Sequence, residues 1–143
     1  MSDDIFGNLR EWGHVPEQIT ALTATGKLDE HQAGLARIIR YRDNWRLREM
    51  VLRSMKDLRA PSNELISEVL SIIADEDVYY EARVLAARAL VDLLTRSDVE
   101  YAEDRGAVLR RVMEKMRTLL DSLGPPVLHD AIRTSMTAIE STR

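Results

Sequence analysis

The chain has 143 residues, of which 45% are hydrophobic and 31% charged, and its formal net charge is −4. These proportions are typical of one globular domain and exclude a disordered chain. Cysteine is absent, which excludes disulfides, zinc–thiolate sites, iron–sulfur clusters and a thiol nucleophile.

The start of the chain and its hydropathy indicate a compartment. Met1 to Asp4 form an acidic start, whereas a secretory signal begins with basic residues and continues with an apolar segment. The chain has no apolar stretch near the ~20 residues that a membrane helix needs. We therefore expect a cytoplasmic protein with no membrane partner, and the lack of cysteine suits a reducing compartment.

Helical periodicity runs through the whole chain, and no segment has the alternation of a strand. Gly26 suits the end of a first helix, Asn44 suits an N-cap, and so does Ser62 or Asn63. Residues 97–100, Ser-Asp-Val-Glu, have the spacing of a capping box. The predicted helices span residues 16–25, 30–41, 45–59, 63–74, 79–95, a sixth from 98 or 104 to 123, and 126–140.

The chain contains an internal repeat. Residues 35–58 can be placed on residues 70–93 without gaps, at an offset of 35. Amphipathic helices aligned by chance share an apolar register but rarely the charged positions, so this match predicts repeated helix pairs. The coinciding pairs include Leu35 and Leu70, Ile38 and Ile73, Trp45 and Tyr80, Arg48 and Arg83, Arg53 and Arg88, and Asp57 and Asp92.

Residues 80–90, Tyr-Glu-Ala-Arg-Val-Leu-Ala-Ala-Arg-Ala-Leu, resemble the second helix of a HEAT repeat. That family's pattern has an early arginine, then paired small residues and a leucine, with an acidic residue in the preceding turn. Arg83 and Asp77 match these positions, and Arg48 matches the arginine in the earlier copy. Asp43 stands one place from the register of Asp77. The resemblance covers residues 28–95 and implies structural roles for Arg48, Arg83 and Asp77, with a contact between Asp77 and Arg83.

The resemblance also implies an architecture. It predicts an all-α fold, a right-handed α-α superhelix of about three HEAT-like helix pairs, in a single domain over residues 1–143. Residues 1–27 would form an N-terminal cap, 28–60 and 61–96 two repeats, and 97–143 a diverged repeat or C-terminal cap. Caps are expected because a repeat array needs atypical, polar faces at its ends to stay in solution.

No motif for catalysis stands out. The three histidines, at positions 14, 31 and 129, are far apart, and none has the i, i+4 spacing of a helical metal pair. Residues 75–77, Asp-Glu-Asp, are better explained as acids before a helix N-terminus than as a calcium loop, which needs a longer alternation of ligands. The sequence shows no Gly-rich phosphate loop and no Ser-His-Asp signature. We therefore expect no enzymatic activity, no metal site and no cofactor.

A basic stripe is the strongest functional signal. Residues 37–59 carry eight basic and three acidic side chains, and one face of the predicted third helix carries Arg46, Glu49, Arg53 and Lys56. In HEAT proteins the second helix of each pair lines the concave surface, so the resemblance implies that Arg46, Arg53, Lys56 and Arg88 project from an inner wall. A solvated face with Glu49 and Arg53 as an i, i+4 ion pair is the simplest alternative.

The resemblance and the stripe together predict a protein–protein interaction adaptor. Its partner would be a protein or peptide with an acidic surface, bound by a monomer or a weak homodimer. Nucleic-acid phosphate is the main alternative ligand for the stripe, although the whole chain is acidic with a pI of about 5.4. A second alternative is a regulatory subunit similar to the HEAT-like subunits of phycobilin lyases.

The aromatic residues give weaker predictions. Trp45 and Tyr80 share a repeat position at a helix start, so we expect both to pack rather than to bind a ligand. Trp12, with Phe6 and Ile5, belongs to an N-terminal segment that docks on the first helix or mediates association.

Overall fold

The computed structural model describes residues 4–95 and 105–141. Within these ranges the chain forms seven α-helices and no strand, which confirms the predicted all-α class. The predicted capping box at 97–100 lies outside the described residues. The helices are α1 (Val15–Thr25), α2 (Gln32–Arg40), α3 (Trp45–Ser54), α4 (Asn63–Ala74), α5 (Tyr80–Leu94), α6 (Arg105–Leu120) and α7 (Pro126–Ser141).

Three of the predicted helix ends are set by the expected residues. Gly26 adopts a left-handed conformation with φ of 70° and ends α1. The side chain of Asn44 accepts a hydrogen bond from the N–H of Leu47 at 3.2 Å, and Ser62 accepts one from Leu65 at 3.1 Å. Each side chain satisfies a backbone N–H that has no partner within its helix. The cap of α4 is therefore Ser62.

Two predicted helices change to a 3-10 turn at one end, and the sixth ends at Leu120 instead of residue 123. The second begins with a 3-10 turn, Leu28–His31, before α2. The third changes to a 3-10 turn, Met55–Asp57, after Ser54, whose hydroxyl donates to the carbonyl of Val51 at 2.7 Å. Such a side-chain bond competes with the helical ladder. Periodicity alone does not separate a terminal 3-10 turn from a continuing helix.

The helices pack together in a regular set of contacts. Consecutive helices pair as α2 with α3, α4 with α5, and α6 with α7. The first members of the pairs contact one another in the order α2, α4, α6, and the second members in the order α3, α5, α7. Helix α1 contacts α3. Helices α4 and α5 therefore lie at the centre, and their apolar faces form the middle of the core.

Small residues on α5 bring its neighbours close. Ala86, Ala87 and Ala89 are buried, and short side chains at a contact reduce the distance between helix axes. The hydroxyl of Ser135 in α7 donates to the carbonyl of Ala87 at 3.1 Å. The α5–α7 contact is thus close enough for a hydrogen bond from a buried side chain to the backbone of the neighbouring helix.

The N-terminal segment docks on the helices. Phe6 is fully buried against Gly34 of α2, and the guanidinium of Arg37 donates to both carboxylate oxygens of Asp4 at 2.7 and 2.6 Å. The side chain of Gln18 in α1 donates to the carbonyl of Ile5 at 2.8 Å. Of the two roles predicted for this segment, the structure thus shows docking, with contacts to α2 as well as to α1.

Candidate functional site

A concavity lies on the open face of α5, between α3 and the start of α7. Its volume is about 450 Å³. We call it the α5 groove, and it is bounded by Trp45, Tyr79, Tyr80, Leu85, Arg88 and Val127. It lies on the side of the molecule formed by the second helices of the pairs, where the resemblance implied a binding surface.

An aromatic corner closes one end of the groove. Trp45 is the first residue of α3, and Tyr79 is the N-cap of α5, so the two helix starts bring the rings together. Their centroids are 5.1 Å apart at an interplanar angle of 72°, which is an edge-to-face contact. The guanidinium of Arg48 lies 5.1 Å from the centroid of the Trp45 ring, on the side of the core. Contacts with each other and with Arg48 therefore hold the two rings of this corner in place.

Three apolar or aromatic side chains of the groove are exposed. Tyr79, Tyr80 and Val127 expose 48%, 49% and 58% of their surface. The prediction that Trp45 packs is confirmed, because its ring is half-buried against the core, but the same prediction for Tyr80 is wrong. Tyr80 lies at the equivalent helix start without a neighbour that covers it. The adjacent tyrosines, in a chain with only 5% aromatic residues, were the sequence signal for this surface.

The groove contains acidic as well as basic side chains on both α3 and α5. Arg53 donates to the carboxylate of Glu49 at 2.9 Å, so the i, i+4 pair expected from the sequence is present. Glu81 and Arg88 are exposed on α5 and also line the groove. The structure thus brings two of the four predicted binding residues, Arg53 and Arg88, into one concavity, together with Glu49 of the predicted stripe and Glu81, which the stripe did not include.

The other two predicted binding residues, Arg46 and Lys56, are exposed but do not line the groove. Lys56 belongs to the 3-10 turn after α3, where successive residues advance by a larger angle than in an α-helix. The extrapolated helical stripe therefore does not continue from Arg53 to Lys56 on one α-helix. Both side chains are exposed outside the two cavities of this surface.

Burial and two carboxylates affect Tyr79. Partial burial raises the pKa of its phenol, and the negative charges of Glu49 and Glu81 raise this pKa further. The phenol is therefore a neutral hydrogen-bond donor at physiological pH.

A second cavity continues the groove between α5 and α7. Its volume is about 510 Å³, and it shares Val84, Arg88 and Val127 with the first. Its walls add Val91 of α5 and Asp130 of α7, which is paired with Arg133 at 3.2 Å. The two cavities thus adjoin along the exposed face of α5, which carries apolar side chains and separate charges.

The three residues with predicted structural roles behave differently. Nε of Arg48 donates to the carbonyl of Ile39 at 2.7 Å, and Nε of Arg83 donates to that of Ile73 at 2.8 Å. Both arginines are only 7% exposed, and burial lowers the pKa of Arg48, as does the nearby charge of Arg42. They bind backbone carbonyls at the end of the preceding helix.

The predicted contact between Asp77 and Arg83 is absent from the ion pairs of the described residues. Asp75 occupies the inner position instead: its carboxylate accepts the N–H of Asp77 at 2.9 Å and pairs with Arg42 at 2.6 Å. These bonds lower the pKa of Asp75. Asp77 is exposed because this turn directs Asp75, not Asp77, towards the helices.

The described residues contain no group of three or more His, Cys, Asp or Glu side chains that could hold a metal ion. Nε2 of His14 is within 3.1 Å of the carbonyl of Phe6, a contact within the N-terminal segment. Among the helices of the described ranges, none has the length and apolar character to cross a membrane.

Comparison with known proteins gives no relative. No protein-family model, curated protein or solved structure matches this chain. The case for a function therefore rests on the contacts, exposure and charges of the residues themselves.

Proposed function

We propose that this protein is a non-catalytic adaptor that binds a segment of another protein in the α5 groove. The observation that carries the proposal is the convergence of three exposed side chains, Tyr79, Tyr80 and Val127, on one concavity. Tyrosine is enriched at protein interfaces because it combines a large apolar area with a polar end. An exposed surface with this much aromatic and apolar area lowers the solubility of a protein unless a partner covers it.

The basic residues support a partner that carries acidic side chains. Arg53 and Arg88 line the groove, and Arg46 and Lys56 are exposed nearby. Interleaved carboxylates such as Glu49 and Glu81 disfavour a phosphate backbone, which repels negative charge along its whole length. A protein partner is therefore the better fit, and nucleic acid is the alternative that the experiment below separates from it.

The fold that we propose for this adaptor is a short right-handed superhelix of three HEAT-like pairs, capped by residues 1–27. Support comes from the pairing of α2 with α3, α4 with α5 and α6 with α7, and from contacts between equivalent helices. The equivalent bonds of Arg48 and Arg83 support it as well. The absence of cysteine supports a reducing compartment such as the cytoplasm.

Affinity capture with matched variants tests the proposal. Val127→Asp places a charge in the groove, whereas Leu123→Asp makes the same kind of change at a fully exposed position outside both cavities. Val127 lies in the first turn of α7, where a carboxylate favours the helix, so this variant should fold. We expect lysate of the source cells to yield a protein that binds the wild type and Leu123→Asp but not Val127→Asp.

A nuclease arm and a charge variant complete the design. The triple variant Arg46→Glu, Arg53→Glu, Lys56→Glu should lose the same protein, and nuclease treatment should leave capture by the wild type unchanged. Capture that disappears with nuclease would support the nucleic-acid alternative. Equal capture by Val127→Asp and the wild type would contradict the proposed groove.

A further inference from the structure

Helix α5 presents one stripe of residues to the groove. Glu81, Val84, Leu85 and Arg88 line the first cavity, and Val91 lines the second. Their spacing is i, i+3, i+4, i+7 and i+10, so they share one face of the helix. The central helix of the concave surface thus carries a negative charge, an apolar pair, a positive charge and a further apolar residue, in that order.

The two charges of this stripe are accessible to a ligand. Glu81 and Arg88 are exposed, and neither takes part in the ion pairs among the described residues, whereas Arg53 is held by Glu49. Seven residues of α-helix separate them by about 10.5 Å along the axis. A ligand that satisfies both must therefore carry a base and an acid at this separation, with apolar groups between them.

The surroundings strengthen the polarity of the stripe. At the Glu81 end, the faces of Tyr79 and Tyr80 add π-surface, which attracts a cation, while the charge of Glu49 is already paired with Arg53. At the other end Arg88 is shared by the two cavities, beyond which Asp92 and Asp130 lie. Asp130 is paired with Arg133. The first cavity, between Glu81 and Arg88, therefore has one negative and one positive end.

We propose that the α5 groove takes an amphipathic helix of the partner protein, antiparallel to α5, with an acidic residue at Arg88 and a basic residue seven positions later at Glu81. The apolar residues of the partner helix then meet Val84, Leu85 and Val127. This inference rests on the proposed function and specifies its partner. A helix in a groove is a common mode of peptide recognition, and its period reproduces the spacing of the two charges.

The antiparallel direction follows from helix electrostatics. Acidic residues stabilise the N-terminal part of a helix and basic residues the C-terminal part. A partner helix with that preference places its N-terminal acid at Arg88 and its C-terminal base at Glu81. Because α5 runs from Glu81 to Arg88, the partner runs in the opposite direction. A second copy of this chain is a poor occupant, because two concave surfaces placed face to face would keep their α5 helices out of contact.

Titration of the full-length, ¹⁵N-labelled chain with two helical peptides tests this inference. Each peptide has about 14 residues and is stapled on its outer face, since short helices are marginal in water. The first has Glu at i, Leu at i+3 and i+4, and Lys at i+7, while the second exchanges Glu and Lys. Dissociation constants come from amide chemical-shift changes. The protein variants are Tyr80→Ala, which reduces the groove surface, and the charge exchange Glu81→Lys with Arg88→Glu.

We expect the wild type to bind the Glu-first peptide about tenfold more tightly than the Lys-first peptide, because two ion pairs change sign. The charge exchange should reverse this preference, and the shifts should map to Val84, Leu85 and Val127. If the wild type bound both peptides with equal affinity and Tyr80→Ala weakened that binding, the proposed charge pattern would be overturned. The adaptor function would still stand. Preference of the wild type for the Lys-first peptide would overturn the antiparallel direction. Shifts that do not depend on Tyr80 would contradict the groove itself.

Discussion

Nε of Arg83 donates a hydrogen bond to the backbone carbonyl of Ile73, 2.8 Å away, and Nε of Arg48 makes the equivalent bond to Ile39 at 2.7 Å. Ile73 and Ile39 are each the second-last residue of their helix. The last carbonyls of an α-helix accept no backbone hydrogen bond from within that helix. Each arginine thus joins the two helices of one pair by satisfying a buried helix end.

Replacement of Arg83 by methionine should destabilise the protein by about 2 kcal/mol. The variant keeps much of the apolar stem but leaves the Ile73 carbonyl buried without its partner, and such a group costs about 1–3 kcal/mol. Urea denaturation measures the change. Arg88→Met is the matched control on the same helix, where the exposed side chain predicts a change within about 0.5 kcal/mol. Equal stabilities of the two variants would contradict a structural role for Arg83.

Replacement of Gly34 by alanine should destabilise the protein, although alanine normally favours a helix. A Cβ at position 34 would lie 2.7 Å from two ring carbons of Phe6, so the docked N-terminal segment must move. We expect a loss of about 1–3 kcal/mol by urea denaturation. In a Phe6→Ala background the same substitution should cost nothing. An equal cost in both backgrounds would show that the Phe6–Gly34 contact is not the cause.

Replacement of Asp75 by asparagine should cost about 1 kcal/mol at pH 7, because the bonds to Arg42 and to the N–H of Asp77 are charge-assisted. The pKa of Asp75 lies below its ordinary value of 3.8. Its contribution is therefore complete above pH 3.8 and is lost as the pH falls through the lower pKa of the folded state. The stability difference between wild type and Asp75→Asn, measured by denaturation from pH 7 to 2, should shrink only in the acid range. A constant difference would be incompatible with this role.

Replacement of Ala87 by leucine should separate α7 from α5. Ala87 is fully buried and its carbonyl accepts the hydroxyl of Ser135 at 3.1 Å, so three further carbons have no space. Overpacking of this kind costs about 1–3 kcal/mol. Ala107→Leu, on the exposed side of α6, is the control and should leave the denaturation midpoint unchanged. A stable Ala87→Leu variant would mean that the α5–α7 contact is looser than the structure shows.

Much of the fold could be predicted because helix starts and stops depend on local chemistry. The bounds of α4 agree with the prediction at both ends, and Gly26, Asn44 and Ser62 act at the expected positions. The 3-10 turns were not predicted, since periodicity alone does not separate a terminal 3-10 turn from a continuing helix. The role of Phe6 depends on a contact with Gly34 that no local pattern encodes.

The repeat register was correct for the second helices and wrong by one residue for the first. The N-caps of α3 and α5, Asn44 and Tyr79, are 35 residues apart, but the C-caps of α2 and α4, Tyr41 and Asp75, are 34 apart. The turn before α5 is one residue longer, so Ile73 corresponds to Ile39 and not to Ile38. An alignment without gaps could not represent this difference.

The groove was only partly predictable. The resemblance implied one common surface for Arg53 and Arg88, and both side chains line the same concavity. The pair of Glu49 and Arg53 was predictable because spacing on one helix is a local property, whereas the presence of Glu81 in the same concavity and the exposure of Tyr80 depend on how α3, α5 and α7 lie side by side. Whether an aromatic residue at a helix start is covered, as Trp45 is, is decided by tertiary contacts.

Site-specific photocrosslinking in the source cells tests the groove most directly. A benzophenone amino acid would replace Tyr80 or Val127 in the α5 groove and, as controls, Lys115 or Leu123, which are exposed outside it. We predict a discrete, nuclease-resistant protein adduct from positions 80 and 127 and none of that mass from positions 115 and 123. Adducts that form only from the control positions, or that nuclease removes, would contradict a protein partner in the α5 groove.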